Sequence, residues 1–330
     1  MKINNLEKKI AIKNFFAKYF LLIAIFFISI FFGLKEPAFY RIDNLLDIIR
    51  SGTIIGLMSI GITYSLIAGE FDFSIGAMAT FSACIAGKLL AYPNFNSFLL
   101  VIFIALVLSC VIGLINAFNT VVIGVPAFIA TLGLSILLGG VTKYITGGGV
   151  LYSLSWPKTF FLLGQGRIFK VIPISVIVFF LGFLFAWAYT ERTKTGRYMY
   201  AVGANPDTAS HVGINVKKIK TIAFVFSSFF AGFGGIILGS TLGSITPGMG
   251  EGNLLSAISA AMLGATFLRP GTLNMTGTVI GALLLAVITN GLTMIGASFY
   301  MKDIIQGFIL LISIGVIATI KEGKLSGVSI

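Results

Sequence analysis

The chain has 330 residues, of which 57% are hydrophobic and 10% are charged, and its formal net charge is +12. Soluble domains carry roughly 25% charged residues, because a surface in water needs polar cover, so this composition excludes an ordinary soluble protein. The Lys and Arg residues lie between apolar runs and not along one polar helix face, which excludes a nucleic-acid-binding surface. We expect an all-α polytopic membrane protein with one membrane domain over residues 1–330.

The apolar runs predict the transmembrane helices. A helix that crosses about 30 Å of hydrocarbon needs about 20 mainly apolar residues. The runs near that length are 17–34, 45–67, 74–92, 98–122, 127–145, 171–190, 221–244, 253–268, 273–295 and 303–320. We expect about ten transmembrane helices, with about eight as the lower bound. The short run 253–268 and the run that begins after Pro126 are the candidates for a broken or re-entrant segment.

The basic residues predict the orientation. The first run lacks a small-x-small cleavage site, so we interpret it as an uncleaved span with its basic leader in the cytoplasm. An even number of spans then places both termini in the cytoplasm, and the densest basic clusters fall on that side, as the positive-inside rule expects. The inner basic residues are Lys2, Lys8, Lys9, Lys13, Lys18, Arg192, Lys194, Arg197, Lys217, Lys218, Lys220, Arg269, Lys321 and Lys324.

Catalytic and metal-binding motifs are missing from the sequence. The outer loop at 146–170 contains Gly147-Gly148-Gly149, but a phosphate-binding loop needs Gly-x4-Gly-Lys-Ser/Thr after a strand. His211 is the sole histidine, and the two cysteines lie inside apolar runs, so neither a metal site nor a nucleophile–base pair can be assembled. We expect no enzyme activity, no metal site and no cofactor in this chain.

The inner loop at 191–220 contains a short helix with a signal at each end. Asn205 is placed to cap the first amides, Pro206 fits the first helical position, and an acid follows it. Gly213 supplies a left-handed stop, and Ile214 is placed for the hydrophobic contact that accompanies such a stop. The sequence therefore predicts a helix from Pro206 to Val212.

The predicted helix is too short to be stable alone in water, so we expect it to be braced. Ala209 and Val212 lie three residues apart on one face, and Asp207 and His211 lie four apart on another. A short, half-apolar helix of this kind suits the cleft of a partner protein. The alternative is an ordinary capped loop helix.

Four segments resemble one family of membrane transporters. Residues 195–220 (TGRYMYAVGANPDTASHVGINVKKIK) resemble the cytoplasmic coupling loop of ribose-type ABC sugar permeases, within the branched-chain amino acid and sugar permease superfamily. Residues 68–76 (AGEFDFSIG) resemble that family's Gly-Gly-Ile-Asp-Leu-Ser-Val-Gly signature. Residues 125–133 and 281–291 are similar to two further blocks, and the likeness extends from about residue 45 to the C-terminus.

The resemblance implies a permease subunit of an ABC importer in a bacterial inner membrane. It implies a second permease copy or paralogue, two ATPase subunits that bind ATP and Mg²⁺, and a soluble substrate-binding protein. The implied signature-loop residues are Gly69, Asp72, Ser74 and Gly76. The implied coupling-helix residues are Ala204, Asn205, Pro206, Asp207, Thr208, Ala209, Ser210, His211, Val212 and Gly213.

Two positions depart from the family pattern. Glu70 stands where the family usually has glycine, and Arg269 lies in a segment that is usually richer in glycine. These departures bear on the substrate, because related permeases carry pentoses, hexoses, inositol or a furanosyl signal. The resemblance therefore implies a monosaccharide or a related furanosyl compound as the substrate, without a choice among them.

Polar residues inside the apolar runs leave two interpretations open. Residues that could line a path for hydroxylated solutes are Asn116, Asn119, Thr131, Thr289 and Asn290, although they could equally hydrogen-bond between helices. Asp72 and Ser74 precede an apolar run and could cap it, and we expect Glu70 at an exposed cytoplasmic position. The alternative function is an ion-coupled sugar carrier that acts alone, with Glu70 or Asp72 as its proton site.

Overall fold

The computed structural model describes residues 2–92, 97–153, 155–169 and 171–326, with side chains described between residues 19 and 315 of those ranges. Most of the described chain is α-helical. Its β structure consists of one two-stranded hairpin and one isolated bridge. The expected all-α class is therefore confirmed.

The elements follow the apolar runs of the sequence. The α-helices are α1 (Lys2–Lys35), α2 (Ile42–Ile67), α3 (Ile75–Leu90), α4 (Phe98–Ala117), α5 (Ala127–Thr146), α6 (Lys158–Gln165), α7 (Ile174–Arg192), α8 (Lys194–Ala204), α9 (Pro206–His211), α10 (Val216–Leu242), α11 (Leu254–Gly264), α12 (Met275–Met294) and α13 (Phe299–Ser326). The shorter elements are the 3-10 turns Pro37–Tyr40 and Glu251–Asn253, the π-helical turn Phe118–Ile123, and the antiparallel strands β1 (Arg167–Ile168) and β2 (Ile172–Pro173).

Six helices of the described chain are long and apolar enough to cross a membrane: α2, α4 with its π-helical turn, α5, α7, α10 and α12. The other four predicted runs lie in α1, α3, α11 and α13. Helices α2, α10 and α12 are about two-thirds buried or more, whereas α4, α5 and α7 are less than one-third buried. The first three therefore form the centre of the bundle, and the others surround it.

Glycine lets α10 approach α3 to backbone contact. A Cβ atom at Gly235 would overlap the carbonyl of Ala79, and one at Gly239 would lie 3.5 Å from the Cβ of Ala83. Because such contacts gain dispersion energy only at close range, small residues are favoured here. The spacing of four residues predicts that Gly243 belongs to the same face. That prediction is wrong, because Gly243 has a φ of +68° and ends α10.

A second glycine contact joins α12 to α11, as the sequence predicts. A Cβ atom at Gly277 would overlap the carbonyl of Gly264, and one at Gly281 would overlap that of Ala260. Near this contact the hydroxyls of Thr63 and Thr278 lie 2.9 Å apart, which joins α12 to α2.

The two ends of the bundle differ. Near the end of α3, Trp156 Nε1 donates to the carbonyl of Gly87 at 2.9 Å. At the same end of the bundle, Leu151 pairs with Ile245 through two backbone hydrogen bonds of 2.8 Å. Before the start of α3 lie the α2–α3 turn (68–74), the α4–α5 connection and the 191–220 segment. The candidate functional residues in the inner loop therefore share one end of the molecule.

Several residues behind the predicted orientation have side chains outside the described residues. They are Lys2, Lys8, Lys9, Lys13, Lys18, Lys321 and Lys324. The orientation and the span count of about ten stay predictions.

We expect Gly235→Ala to destabilise the protein, because the added methyl group meets backbone that cannot yield easily. Overpacking of this kind costs about 1–3 kcal/mol. The matched control is Gly133→Ala in α5, where the added Cβ atom has no neighbour within 4 Å. Thermal unfolding of the detergent-solubilised chain should show a lower midpoint for the first variant and an unchanged or higher midpoint for the control. Equal midpoints for the two variants would contradict the close α3–α10 contact.

Candidate functional site

The α2–α3 turn is bent by a glycine against α8. Gly69 has a φ of +83°, in the left-handed region that favours glycine, and a Cβ atom on it would lie 3.3 Å from Gly203. The amide of Glu70 then donates to the carbonyl of Ser65 at 2.9 Å, which folds the chain back on the end of α2. The turn is therefore held against the inner-loop helices by its own backbone.

Asp72 is the centre of a buried polar network. Its Oδ1 accepts the amide of Ser74 at 2.9 Å and the hydroxyl of Ser74 at 2.5 Å, and its Oδ2 accepts the hydroxyl of Ser227 at 2.6 Å. Ser74 Oγ accepts in turn from Asn116 Nδ2 at 2.8 Å. All four residues are fully buried, so the bonds offset a desolvation cost that an unpaired carboxylate could not meet. The network ties the turn to α4 and α10.

Thr131 on α5 holds the same turn from another side. The amide of Phe73 donates to Thr131 Oγ1 at 3.1 Å, and Thr131 Oγ1 lies 2.8 Å from the carbonyl of Ala127. Gly76 follows at the start of α3, where a Cβ atom would lie 2.9 Å from the Cα of Glu251. Four helices (α4, α5, α8 and α10) and the α10–α11 connection therefore contact the α2–α3 turn or the start of α3.

The expected capping role is not what the structure shows. Ser74 directly precedes α3 but its side chain accepts no amide of the first turn. The Asp72 carboxylate accepts the amide of Ser74 itself and bridges to α10. Asp72 therefore fastens the turn to the bundle, and it does not cap α3.

The five path candidates do not share one surface. Asn116 and Thr131 are fully buried and hydrogen-bond the α2–α3 turn, and half-buried Asn119 lies in the π-helical turn near them. Thr289 and Asn290 are half-buried near the opposite end of the bundle.

Asn290 joins two helices at that opposite end. Its Nδ2 donates to Asn44 Oδ1 at 2.8 Å, across α12 and α2. The Asn290 contact matches the helix-to-helix alternative, whereas Asn116 and Thr131 bond the α2–α3 turn. A path-lining role for the five residues stays a prediction.

Glu70 is not the exposed residue that the sequence predicts. Its side chain is 13% exposed, and its carboxylate pairs with the Lys220 ammonium at 2.5 Å. Lys220 belongs to the first turns of α10, immediately after the inner loop. The family departure at residue 70 therefore adds an ion pair between the signature loop and the segment that follows α9.

Helix α9 has the predicted caps at both ends. The amide of Thr208 donates to Asn205 Oδ1 at 2.9 Å. At the other end the amide of Gly213 donates to the carbonyl of Ser210 at 2.9 Å, and the amide of Ile214 donates to that of Ala209 at 3.0 Å. With Gly213 at a φ of +84°, this is a Schellman motif. The helix ends at His211, one residue earlier than predicted.

Ala209 and Val212 do not form one apolar face. Ala209 is 3% exposed and packs into the main core of the bundle, whereas Val212 is 72% exposed. The difference arises because Val212 lies past the end of the helix, where the chain turns. His211 Nδ1 lies 2.7 Å from the carbonyl of Asp207, and both residues are exposed. Ala209 anchors α9, and Val212 projects into solvent.

An open groove of about 600 Å³ runs beside α9. Its lining residues come from the π-helical turn, α9 and the start of α10: Thr120, Val121, Pro206, Asp207, Ser210, Gly213, Ile214, Asn215, Val216, Lys217 and Lys220. Within the described part of the chain, no three His, Cys, Asp or Glu residues group together in a way that could hold a metal ion.

Arg269, the second departure, also makes an ion pair with the inner loop. Its guanidinium lies 2.9 Å from the Glu191 carboxylate, which accepts the Tyr200 hydroxyl at 3.1 Å. Burial, together with the Glu191 charge, raises the pKa of the Tyr200 phenol. Sequence reasoning missed this contact and the whole of α8. The signal that could have found α8 is Thr193, whose hydroxyl accepts the amide of Gly196 at 3.1 Å and caps the helix.

The structure shows the class of protein to which the chain belongs. It is a polytopic helical membrane protein with a capped, exposed helix at one end. The chain belongs to the family described as branched-chain amino acid transport system / permease component, which its sequence matches over residues 44–314. The resemblance seen in the sequence is thereby confirmed, and the chain is a transport subunit of the bacterial cell membrane and not an enzyme.

Relatives from two bacteria cover nearly the whole chain. The ribose import permease protein RbsC of Escherichia coli (strain K12) is 32% identical over 89% of this chain and 91% of its own length. RbsC of Bacillus subtilis (strain 168) is 30% identical over 93% and 95%. The D-allose transport system permease protein AlsC of E. coli is 28% identical over 91% of each chain. No solved structure matches the chain significantly.

The ion-coupled alternative finds no support. Asp72 is fully bonded inside the bundle and Glu70 is paired with Lys220. The relatives just named are an import permease and a transport-system permease, and the family is one of permease components.

We expect Asp72→Ala to destabilise the chain and Asp72→Asn to do so much less. Alanine leaves the buried Ser74 and Ser227 donors unbonded, at about 1–3 kcal/mol for each group, whereas asparagine keeps an acceptor oxygen. Thermal unfolding in detergent measures both, with exposed Asp303→Ala as the control. Equal losses for alanine and asparagine would show that the charge itself matters, contrary to the bonding role argued above.

Proposed function

We propose that the chain is the membrane-spanning permease subunit of an ATP-binding-cassette importer for a monosaccharide. It forms the translocation path and couples to a separate ATPase chain. The observation that carries this proposal is α9, which is capped at both ends, anchored by buried Ala209 and otherwise exposed. A helix of 6 residues is marginal in water by itself, and the caps and the Ala209 anchor fix it so that its exposed surface is held ready for a partner protein.

The proposed topology has about ten spans and both termini in the cytoplasm. The 191–220 segment is then the cytoplasmic coupling loop of a single domain over residues 1–330. Support comes from Lys217 and Lys218, which are exposed beside α9, at the end where the positive-inside rule expects basic residues.

The proposed partners follow from the relatives. ATP and Mg²⁺ bind to two ATPase subunits, and a soluble protein outside the membrane delivers the sugar. A second copy of this chain, or a paralogue, completes the path. The ribose and D-allose relatives support a pentose or hexose substrate. The chain itself then has no cofactor.

Movement of α9 would reach the interior through α10. The Schellman turn at Gly213 joins α9 to Asn215, whose Oδ1 accepts the amide of Lys218 and caps α10. From α10, Lys220 pairs with Glu70, and Ser227 bonds Asp72. A displacement of α9 by the ATPase therefore moves the signature loop together with the start of α10.

The direct test is purification of the tagged chain from its native membrane. We expect an ATPase with a Walker motif to co-purify, and sugar uptake into membrane vesicles to need ATP. Purification of the chain alone, with uptake abolished by a protonophore and unaffected by ATP depletion, would overturn the proposal.

We expect Val212→Asp to uncouple transport from ATP hydrolysis, because it puts a charge on the exposed apolar tip beside α9. Uptake should fall by about tenfold or more, while ATPase activity of the complex continues. The matched control is Val150→Asp, in a half-exposed valine at the opposite end of the bundle. Normal coupled uptake by the Val212 variant would contradict a coupling role for α9.

The Glu70–Lys220 pair should also affect coupling. We expect Glu70→Lys to reduce the sugar transported per ATP hydrolysed, because two like charges would then face each other. The exchange variant Glu70→Lys/Lys220→Glu should recover part of that ratio. A double variant no better than the worse single variant would show that the pair itself has no role.

A further inference from the structure

The connection between α10 and α11 is a broken crossing. After Gly243 the chain does not turn directly into a helix but runs back along α3. Ile245 pairs with Leu151 near the end of α3, and the amide of Gly250 donates to Thr80 Oγ1 at 3.0 Å near its start. Helix α11 then has 11 residues, about 16 Å, which is half of a hydrocarbon core of about 30 Å.

The break places Glu251 at membrane depth. A Cβ atom on Gly76 would lie 2.9 Å from the Cα of Glu251, and one on Gly139 would lie 3.9 Å from its Oε1. Gly139 is twelve residues beyond the first residue of α5, about 18 Å along a helix of about 30 Å. The carboxylate therefore lies near the middle of a predicted span.

The Glu251 side chain is exposed in the single chain. Among the described residues, none donates a hydrogen bond to its carboxylate or forms an ion pair with it. Gly248, at a φ of +80°, lies beside it, and a Cβ atom on Gly252 would have no neighbour within 4 Å. The unbonded carboxylate therefore borders an open space beside Gly139, Gly248 and Gly252, which we call the recess.

A carboxylate at this depth is costly against lipid and is tolerated where it faces water. The exposed face of α5 around Gly139, together with residues 248–252, therefore faces a water-filled space and not hydrocarbon. Carboxylates form strong, charge-assisted hydrogen bonds with hydroxyl donors and repel anions. The chemistry of the recess suits a neutral polyhydroxylated solute.

We propose that Glu251 lines the translocation path and accepts hydrogen bonds from hydroxyl groups of the passing sugar. The same charge disfavours phosphorylated sugars and sugar acids. This assignment rests on the proposed transport function and adds to it a specificity-determining residue. Glu251 can occupy this position because it lies in the irregular connection between α10 and α11, where the helical packing is interrupted.

Labelling of a cysteine tests the location without any transport assay. In a chain lacking Cys84 and Cys110, Glu251→Cys should react with a membrane-impermeant cationic methanethiosulfonate. The control is Leu137→Cys, which is 56% exposed on the opposite face of α5 at similar depth and should not react. An unlabelled Glu251→Cys would overturn the path assignment even if the transport function holds.

Uptake of labelled D-ribose and D-allose tests the binding role in the complete transporter. Glu251→Gln should lower uptake by about tenfold through loss of the charge, and Glu251→Asp should keep part of it. Normal uptake by Glu251→Gln would refute sugar binding.

Lys143 lies one turn further along α5 on the same face and is exposed. An equal loss in Lys143→Gln, with Glu251→Cys unlabelled, would instead indicate an ion pair between two copies.

Discussion

The buried carboxylate of Asp72 is the constraint on which the inner end of the molecule depends. A buried carboxyl group must find hydrogen-bond donors in place of water, and here they come from its own turn and from α10. Asn116 extends the network to α4. Because each partner would be left unbonded if the turn moved alone, the turn and these helices are held in one arrangement. Specificity of packing, more than net stability, is what a bonded buried charge contributes.

This fixed arrangement determines where the molecule can move. Glycine brings α10 into backbone contact with α3, and glycine likewise joins α12 to α11. Contacts of this kind have little slack, so α3 and α10 behave as one body, and α11 and α12 as another. The peripheral α4, α5 and α7 are mostly exposed and can shift with less loss of contact. In the proposed transporter, a displacement of α9 enters through the start of α10 and moves α3 together with it.

The sequence predicts local features well, but it predicts contacts between distant residues poorly. The apolar runs and both caps of α9 follow from spacing and from Asn205 and Gly213, because their causes lie within a few residues. Burial of Glu70 could not be predicted, since its partner Lys220 is 150 positions away in the chain. The separation of Ala209 from Val212 was missed because helix periodicity was applied one residue past the helix end. The roles of polar residues in apolar runs, such as Asn116 and Asn290, were ambiguous because their partners also lie far away in the chain.

Exposure in a single chain does not distinguish lipid from a water-filled path or a second subunit, but an exposed charge at membrane depth excludes lipid. The peripheral helices expose large apolar side chains such as Phe103 and Phe180, which lipid or another subunit can cover. A carboxylate at Glu251 cannot be covered by lipid at comparable cost. In the proposed transporter, the face that contains it therefore turns toward the path. The broken crossing before α11 is then the natural boundary of the path, because irregular backbone at membrane depth is tolerated where it lines a cavity.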